Sequence, residues 1–388
     1  AIVVGAIELL SFAALRLLVE QPDVRRSETH LIDAHRNHRL NPDFRLPDGR
    51  AMHASDGLRR DKPLAREKPP GTVRILALGT SALYGIASAP PYPPYRMLAN
   101  DETITHYLED LLRQRLAADG ISRAIEVING GVSAYKTLHE LMYLNADLLD
   151  YEPDIVINID GHNDFYDDTP ADRWNSYAYS ASVVVDEYNG RTAFLAVLTV
   201  VRSLAPYSQT ANVIERFLRR ALAAKNEQPM RHTPRKAFTR EANFEKNFRA
   251  VMGRQSMREL WQIHQLGRYA GYDHYVFLQP ELVFESDAYL SDADRKLKAI
   301  TLKALPAEHP AKMQRIRALL PTLFAEREIP FFDVATIASI AGEPSQLYTD
   351  YCHLTPAGAE RTAQAIATHL YPRLVDRIRR SEDPSPRR

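Results

Sequence analysis

Cysteine is almost absent from this sequence, and neither sign of charge dominates it. The 388 residues include a single cysteine, Cys352, which excludes a disulfide scaffold and a zinc site built from several cysteines. Lys and Arg together number 49, as do Asp and Glu, whereas a dedicated nucleic-acid-binding protein is usually clearly basic. Hydrophobic residues make up 45% and charged residues 25%. This balance excludes collagen-like and wholly disordered chains and is typical of a globular protein with a large core.

Long apolar runs are also scarce, and the run over residues 1–19 predicts a transmembrane anchor. Fifteen of these residues are apolar, and as a helix they would measure about 28 Å, close to the thickness of a bilayer's hydrocarbon core. Arg16 can extend to the membrane interface, whereas Glu8 is placed mid-span and suits a partner helix. A signal-peptide remnant and a buried or amphipathic helix are the alternatives. We expect this segment to contact membrane lipid and to hold the remaining chain outside the cytoplasm, in the periplasm.

Residues 20–70 are polar and contain proline, arginine and histidine, a composition that predicts an extended juxtamembrane segment. His30, His35 and His38 occur in it, with Asp33 nearby. Histidine and carboxylate side chains can bind a metal. Scattered surface histidines explain the same pattern without a metal, and we expect no metal site here.

From residue 71 onward, apolar strands alternate with amphipathic helices. The predicted strands are residues 73–79, 124–130, 154–161, 274–280 and 329–334, and the predicted helices are residues 100–120, 137–149, 241–270 and 355–380. Such alternation predicts a parallel sheet covered by helices on both faces. Ligands of these sheets bind at the carboxyl ends of the strands. The polar residues that follow each strand are therefore the candidate functional residues.

Two stretches depart from the alternation. Residues 171–240 show little periodicity at first and then become helix-like over 211–225. Within 211–240 there are eight basic residues and two acidic ones. This pattern fits either a patch for an anionic polymer or lipid headgroups, or a solvated helix face with a loop. We expect an inserted segment at 171–240 and a disordered tail at 379–388.

The first two polar motifs follow the first two strands. GTSALYG, at 79–85, places Ser81 on a tight turn between a strand and a helix, where a nucleophile is exposed at the edge of the sheet. NGGVSAYKT, at 129–137, contains glycines that let a backbone N–H approach a substrate oxygen, as an oxyanion hole requires. Taken singly, each motif also fits an ordinary loop between a strand and a helix.

The other two motifs complete a candidate hydrolase site. DGHNDF, at 160–165, offers the side-chain N–H of Asn163 to an oxyanion, or alternatively a helix cap. In DYCHLTPAGAE, Asp350 stands three residues before His353. That spacing can hold a carboxylate against one imidazole nitrogen and leave the other nitrogen for a serine. Alternatively, Thr355 caps the last helix and His353 only packs.

Together the four motifs resemble, in order and spacing, those of the SGNH hydrolases, also called GDSL esterases and lipases. The resemblance covers residues 74–374 and implies a three-layer α/β/α sandwich with a flavodoxin-like parallel sheet. We accordingly place the hydrolase domain at 71–378, with the 171–240 segment inserted in it. Residues 31–62 and the phrase LQPEL at 278–282 are also similar to a membrane-anchored bacterial branch of the family.

The resemblance implies a role for five residues. Ser81 is the expected nucleophile, His353 the general base and then acid, and Asp350 the residue that orients His353. The expected oxyanion hole consists of the backbone N–H groups of Gly131 and Ser81 and the side chain of Asn163. The resemblance implies no cofactor, and no metal.

Three positions bear on how closely the chain follows the family. Thr80 stands where the family has an aspartate before the nucleophile, a position outside the triad. Ala134 stands where the second motif of the family has a third small residue, glycine. Cys352 lies beside His353 but lacks a base of its own, because His353 is assigned to Ser81. We expect none of these departures to abolish catalysis.

The residues predict a membrane-anchored serine ester hydrolase or O-acyltransferase that acts through an acyl-enzyme on acylated glycans or small esters. Both activities use the same residues, so the motifs do not separate them. One alternative is a non-catalytic scaffold subunit of a membrane protein assembly, in which helix 1–19 binds a membrane protein partner. Another is a lipase or thioesterase that acts on long acyl chains.

Overall fold

The computed structural model describes residues 29–382, except for 34–35, 47–48, 88–95, 167–200, most of 202–243, 253–255, 306 and 343–344. Among the described residues, no helix is both long and apolar enough to cross a membrane. The predicted anchor at 1–19 lies outside them, as does most of the predicted 171–240 insertion. The chain divides into two compact units, and the unit formed by 26–167 and 248–388 contains the sheet and the candidate site.

The described strands form one parallel sheet and two small antiparallel pairs. They are β1 (His30–Asp33), β2 (Asn37–Leu40), β3 (Thr72–Gly79), β4 (Ile86–Ala87), β5 (Arg96–Met97), β6 (Ala124–Gly131), β7 (Ile155–Asp160), β8 (Asp273–Leu278) and β9 (Phe331–Asp333). β1 pairs with β2, and β4 pairs with β5, both antiparallel. The other five strands are parallel, in the order β6-β3-β7-β8-β9. In chain order this is 2-1-3-4-5, the order of flavodoxin-like sheets.

Helices connect the parallel strands. The described helices are α1 (Ser81–Tyr84), α2 (Ile104–Ala118), α3 (Thr137–Tyr143), α4 (Phe244–Met252), α5 (Ser256–Ala270), α6 (Asp292–Ala304), α7 (His309–Ala325) and α8 (Pro356–Glu382). Single π-helical turns occur at Leu144–Leu148 and His162–Tyr166, and 3-10 turns at Asn100–Glu102, Leu149–Tyr151 and Leu282–Phe284.

The strand β3 shows why the sheet is buried on both faces. Ile75 and Ala77 pack in one cluster with apolar side chains of α2 and α8. Leu76 and Leu78, which alternate with them, are also fully buried. Successive side chains of a strand point to opposite faces of the sheet, so β3 is covered on both sides. The architecture is the predicted three-layer α/β/α sandwich with a parallel sheet.

The predicted strands are all present within a few residues of their predicted bounds, whereas several helices differ. Residues 241–270 form two helices, α4 and α5, and 137–149 is α-helical only as far as Tyr143 before it continues as a π turn. α6 and α7 were not among the predicted helices. Ser291 caps α6 by accepting the N–H of Asp294 at 3.1 Å, which is a local signal for that helix start.

The closing helix extends further than predicted. Residues 379–382 belong to α8 and are not part of a disordered tail, while 383–388 lie outside the described residues. Arg380 forms an ion pair with Asp273 of β8, and Arg377 donates to the carbonyl of Gly271 at 2.6 Å. These contacts hold the last turns of α8 against the amino end of β8.

Residues 29–70 differ most from their prediction as an extended juxtamembrane segment. They belong to the compact unit that contains the sheet, and Phe44, Met52 and Leu58 are buried in it. Arg59 is also buried, and its guanidinium donates to the carbonyl of Tyr84 at 3.1 Å. The segment therefore packs beneath the helix that begins at Ser81, because burying these apolar side chains is favourable.

Candidate active site

Ser81 is the first residue of α1, directly after β3, as predicted. A Cβ added to Gly79 would lie 2.8 Å from the carbonyl oxygen of Ile159 on β7, so the strand end needs glycine to turn this close to its neighbour. The N–H of Tyr84 donates to the carbonyl of Thr80 at 2.9 Å and closes the turn. Ser81 is partly exposed while the rest of α1 is buried. The turn thus presents the hydroxyl at the carboxyl edge of the sheet.

The imidazole of His353 joins Ser81 to Asp350. The distance from Ser81 Oγ to His353 Nε2 is 2.8 Å, and that from His353 Nδ1 to Asp350 Oδ2 is 2.7 Å. Asp350 and His353 are both buried, each with 6% of its surface exposed. The carboxylate accepts from Nδ1–H, which leaves Nε2 as the acceptor for the serine proton. This is a complete Ser-His-Asp triad in hydrogen-bonding geometry.

The loop before α8 fixes the position of Asp350. Its Oδ1 accepts the backbone N–H groups of Cys352 at 2.9 Å and of His353 at 2.8 Å. Thr355 also caps α8, because its Oγ1 accepts the N–H of Gly358 at 3.1 Å. The capping interpretation and the catalytic interpretation of this motif are therefore compatible, since the cap holds the loop that carries Asp350 and His353.

Asn163 lies in the π turn that follows β7. Its Nδ2 donates to the carbonyl of Tyr135 at 3.0 Å, which leaves the second Nδ2 hydrogen for a substrate oxygen. The next residue, Asp164, accepts both the N–H and the hydroxyl of Thr137 at 3.1 Å. Three hydrogen bonds thus tie the turn that carries Asn163 to the loop and helix that follow β6.

The backbone N–H of Ser81 has no acceptor among the described residues. It is the first N–H of a helix, a group that has no partner within the helix. This N–H belongs to the same residue as the hydroxyl. It can therefore donate a hydrogen bond to the oxygen of a group that is attached to Ser81 Oγ.

Gly131 does not fit its predicted role as an oxyanion donor, and the reason is its hydrogen bond. Its N–H donates to Asn129 Oδ1 at 2.9 Å inside the protein. A Cβ at this position would lie only 2.5 Å from the backbone nitrogen of Tyr84. This corrects the predicted site: glycine is needed at 131 because α1 packs directly on the end of β6.

The loop beyond β6 contains a better placed N–H. Ala134 has a φ of +64°, a left-handed conformation that is costly for a residue with a side chain. Its N–H has no acceptor among the described residues. The residues on either side of Ala134 contact the strand end before Ser81 and the side chain of Asn163. Val132 donates to the carbonyl of Gly79 at 3.1 Å, and the carbonyl of Tyr135 accepts from Asn163. The sequence analysis names Ala134 only as a departure from the family's glycine and assigns it no donor role, because glycine usually marks such a conformation.

A serine nucleophile, an imidazole and a carboxylate meet at the carboxyl ends of a 2-1-3-4-5 parallel sheet, and Asn163 flanks them on the third strand. The chain has the three-layer α/β/α fold with a flavodoxin-like parallel sheet that the resemblance implies. The order of the strands agrees with the predicted fold, and Ser81, His353 and Asp350 lie within hydrogen-bonding distance of one another. The residues assembled are the ones expected, apart from Gly131.

Comparison with solved structures finds several proteins that are similar to this chain. An aryl esterase of M. smegmatis is 17% identical, with a TM-score of 0.39 over 78% of this chain and 99% of that chain. A carbohydrate acetylesterase from Sinorhizobium meliloti is 15% identical, with a TM-score of 0.38 over 78% of this chain and 99% of that chain. An acetylxylan esterase from Geobacillus stearothermophilus is 13% identical, with a TM-score of 0.38 over 77% of this chain and 95% of that chain. No protein-family model and no curated protein matches this chain.

The loop before α8 contains three side chains of types that can serve as metal ligands. Ligand atoms of Asp350, Cys352 and His353 lie within 4.8 Å of one another. Two of these groups are already hydrogen bonded to each other. Burial, together with the charges of Glu281 and Asp350, raises the pKa of the Cys352 thiol well above its usual range. A protonated thiol is a poor metal ligand and a poor nucleophile, so the donor set fits a triad better than a metal centre.

A cluster of buried carboxyl groups lies behind Asn163 and was not predicted. Asn158 Nδ2 donates to Glu140 at 2.6 Å and to Asp160 at 3.1 Å. Burial raises the pKa of Glu140, Asp160 and Asp164, and neighbouring carboxylates raise it further at Glu140 and Asp160. The residues come from three elements, α3, β7 and the π turn, so no local pattern could reveal the cluster. It ties the turn of Asn163 to α3.

Proposed function

We propose that this protein is a serine ester hydrolase or O-acyltransferase that acts through Ser81. The observation that carries the proposal is the continuous hydrogen-bonded line from Ser81 Oγ through His353 to Asp350. A scaffold protein has no need to keep a hydrogen bond between a serine at one strand end and a histidine 272 residues away in sequence. The geometry supports catalysis more strongly than a purely structural role.

Acylation begins when Ser81 Oγ attacks the carbonyl carbon of the ester. His353 Nε2 takes the hydroxyl proton as the new C–O bond forms, and the carboxylate of Asp350 stabilises the imidazolium. The tetrahedral intermediate then collapses, the bond to the alcohol breaks, and His353 returns the proton to the leaving oxygen. The products of this half-reaction are the free alcohol and an acyl ester on Ser81.

The charge on the carbonyl oxygen needs donors that are in place before the reaction. We assign this role to the backbone N–H groups of Ser81 and Ala134 and to the free Nδ2 hydrogen of Asn163. Preorganised donors of this kind typically contribute about 10²- to 10³-fold each to turnover. Ala134 thus replaces Gly131 in the set expected from the resemblance.

The second half-reaction transfers the acyl group from Ser81. His353 takes a proton from water or from a sugar hydroxyl, which attacks the acyl carbon, and then gives the proton back to Ser81 Oγ. Water gives hydrolysis, and a sugar hydroxyl gives O-acyl transfer. We propose acylated glycans or small esters as the substrate class, as the motif resemblance implies. Membrane anchoring through residues 1–19 and an extracytoplasmic location are part of the same proposal and rest on the sequence.

Labelling with a fluorophosphonate probe tests the proposal directly, because the probe phosphonylates only an activated serine. We expect mass spectrometry to find the adduct on Ser81, with no adduct in Ser81→Ala. Cys352→Ala serves as the matched control and should label like the wild type. A folded wild-type protein that takes up no probe would contradict the proposal and favour the scaffold alternative. Acyl donors with and without a glycan acceptor would then separate hydrolysis from transfer.

A further inference from the structure

The hairpin of β1 and β2 contacts the loop that carries Ala134. His38, on β2, has its Nε2 2.8 Å from the carbonyl oxygen of Ser133. In the opposite direction, the Tyr135 hydroxyl donates to the carbonyl of His38 at 2.6 Å. The rings of His38 and Tyr135 also meet edge to face, with centroids 5.1 Å apart. One residue of the hairpin therefore holds the loop on both sides of Ala134.

The contact of His38 determines the orientation of one peptide group. A carbonyl oxygen can only accept, so His38 carries its proton on Nε2. The peptide between Ser133 and Ala134 is planar and trans, and its C=O and N–H point in opposite directions. With the C=O held by His38, the N–H of Ala134 points away from the hairpin. His38 thus sets the direction of the donor that lies in the left-handed turn.

The hairpin is itself rigidly attached. Arg36 is buried and forms ion pairs with Asp33 at 2.9 Å and with Asp147 at 2.5 Å. Its guanidinium also lies 4.7 Å from the centre of the Tyr143 ring. Asp147 and Tyr143 belong to the helical segment that follows the loop of Ala134. The hairpin is therefore fastened both to the loop and to the helix after it, which suits a support for catalytic geometry.

We infer that His38 is a positioning residue of the oxyanion hole, acting through the Ser133–Ala134 peptide. The inference rests on the proposed function, because it assigns the Ala134 N–H to the oxyanion. His38 does not touch the substrate. Its hydrogen bond holds the peptide at the angle that the transition state needs, and small misplacements of such groups cost large factors in rate.

Two substitutions at the same site test the inference. His38→Leu keeps apolar bulk against Tyr135 but has no donor, whereas His38→Gln places an amide N–H close to the position of Nε2. We would measure kcat and KM for an aryl acetate, the rate of fluorophosphonate labelling of Ser81, and the thermal midpoint of each variant. We expect His38→Leu to lose roughly 10- to 100-fold in kcat with little change in KM. His38→Gln should recover most of that loss at a similar thermal midpoint.

The outcomes separate a positioning role from a structural one. If kcat falls equally in both variants and in step with the thermal midpoint, His38 only stabilises the fold and the inference is wrong. A turnover of His38→Leu close to that of the wild type would overturn it as well. A wild-type Ser81 that neither labels nor turns over would overturn the proposed function itself, which is a different result.

A third variant covers the case in which His38→Leu does not fold. Tyr135→Phe removes only the hydroxyl that donates to the carbonyl of His38. The free energy of one such hydrogen bond corresponds to a change in rate of roughly 2- to 10-fold. We therefore expect kcat to fall by that factor while KM is unchanged. An unaltered kcat in this variant would contradict the coupling between the hairpin and the loop.

Discussion

Replacing Asp350 by asparagine changes one atom of the triad and has a defined structural consequence. In the native loop, Oδ1 accepts two backbone N–H groups while Oδ2 accepts from His353 Nδ1. The asparagine oxygen must remain on the side of the two N–H donors, because an amide nitrogen there would face them with no acceptor. The amide NH₂ is thereby forced to point at His353 Nδ1.

The consequence is the wrong tautomer of His353. Since the asparagine NH₂ donates to Nδ1, the imidazole proton moves to Nε2, which faces Ser81 Oγ at 2.8 Å. Nε2 then cannot accept the serine proton. Triads altered in this way lose about 10⁴-fold in kcat, equivalent to about 5.4 kcal/mol of transition-state stabilisation. We expect a loss of this size for Asp350→Asn, with KM nearly unchanged.

Asp294→Asn is the matched control. Asp294 is also buried, and it accepts the backbone N–H groups of Leu347 at 2.9 Å and Tyr348 at 3.1 Å in the same region of the chain. It should lose stability while most of its turnover remains. The assay is steady-state hydrolysis of an aryl acetate together with thermal unfolding of both variants. A loss in Asp350→Asn of less than about tenfold, or one matched by the control, would contradict the tautomer mechanism.

Four further outcomes follow from the structure. Asn163→Ala should lower kcat by about 10²- to 10³-fold without shifting the thermal midpoint, and an unchanged rate would remove it from the mechanism. Gly131→Ala should destabilise the fold by about 1–3 kcal/mol in urea unfolding, because its Cβ would lie 2.5 Å from the Tyr84 nitrogen; full stability would refute the close packing. Glu140→Gln should match wild-type stability near pH 4 and exceed it increasingly as the pH rises, because burial raises the native pKa of Glu140 and the unfolded chain then loses the proton first. Thermal scans across pH check this, and parallel curves would contradict it. Cys352 should resist iodoacetamide in the folded protein at pH 8, because burial raises the pKa of its thiol; rapid alkylation, read by mass spectrometry, would show the opposite.

The residues before the sheet carry more structure than their composition indicates. Polar composition with proline and histidine is typical of a linker. In this structure, however, the Nε2 of His53 is hydrogen bonded to the Tyr84 hydroxyl at 2.8 Å, in the helix that begins at Ser81. Burial in a low-dielectric environment lowers the pKa of His53 to about 4, so it is neutral at physiological pH. The described part of the segment from β1 to Arg59 thus contacts the turn that carries Ser81 and, through His38, the loop that carries Ala134.

Local pattern was enough to locate the parallel strands, and the resemblance that the motifs indicated identified the three triad residues. A strand buried on both faces is a short apolar run whatever it packs against, and the turn after β3 and the Asp350–His353 spacing are set by a few adjacent residues. The strand order and the contact of Ser81 with His353 agree with the resemblance that these motifs indicated. The strand positions were predictable because each depends on adjacent residues, whereas the strand order and the Ser81–His353 contact join distant residues and were expected only from the resemblance.

Only the tertiary structure shows, among the described residues, that the N–H of Gly131 is already hydrogen bonded while that of Ala134 has no acceptor. The N–H of Gly131 is occupied by a hydrogen bond to Asn129, and the direction of the Ala134 N–H follows from that residue's positive φ. The contact between His38 and Ser133 joins residues 95 apart in the sequence. A hydrogen bond of this kind depends on the relative position of two packed elements. Composition and periodicity describe each element separately, so they do not contain that distance.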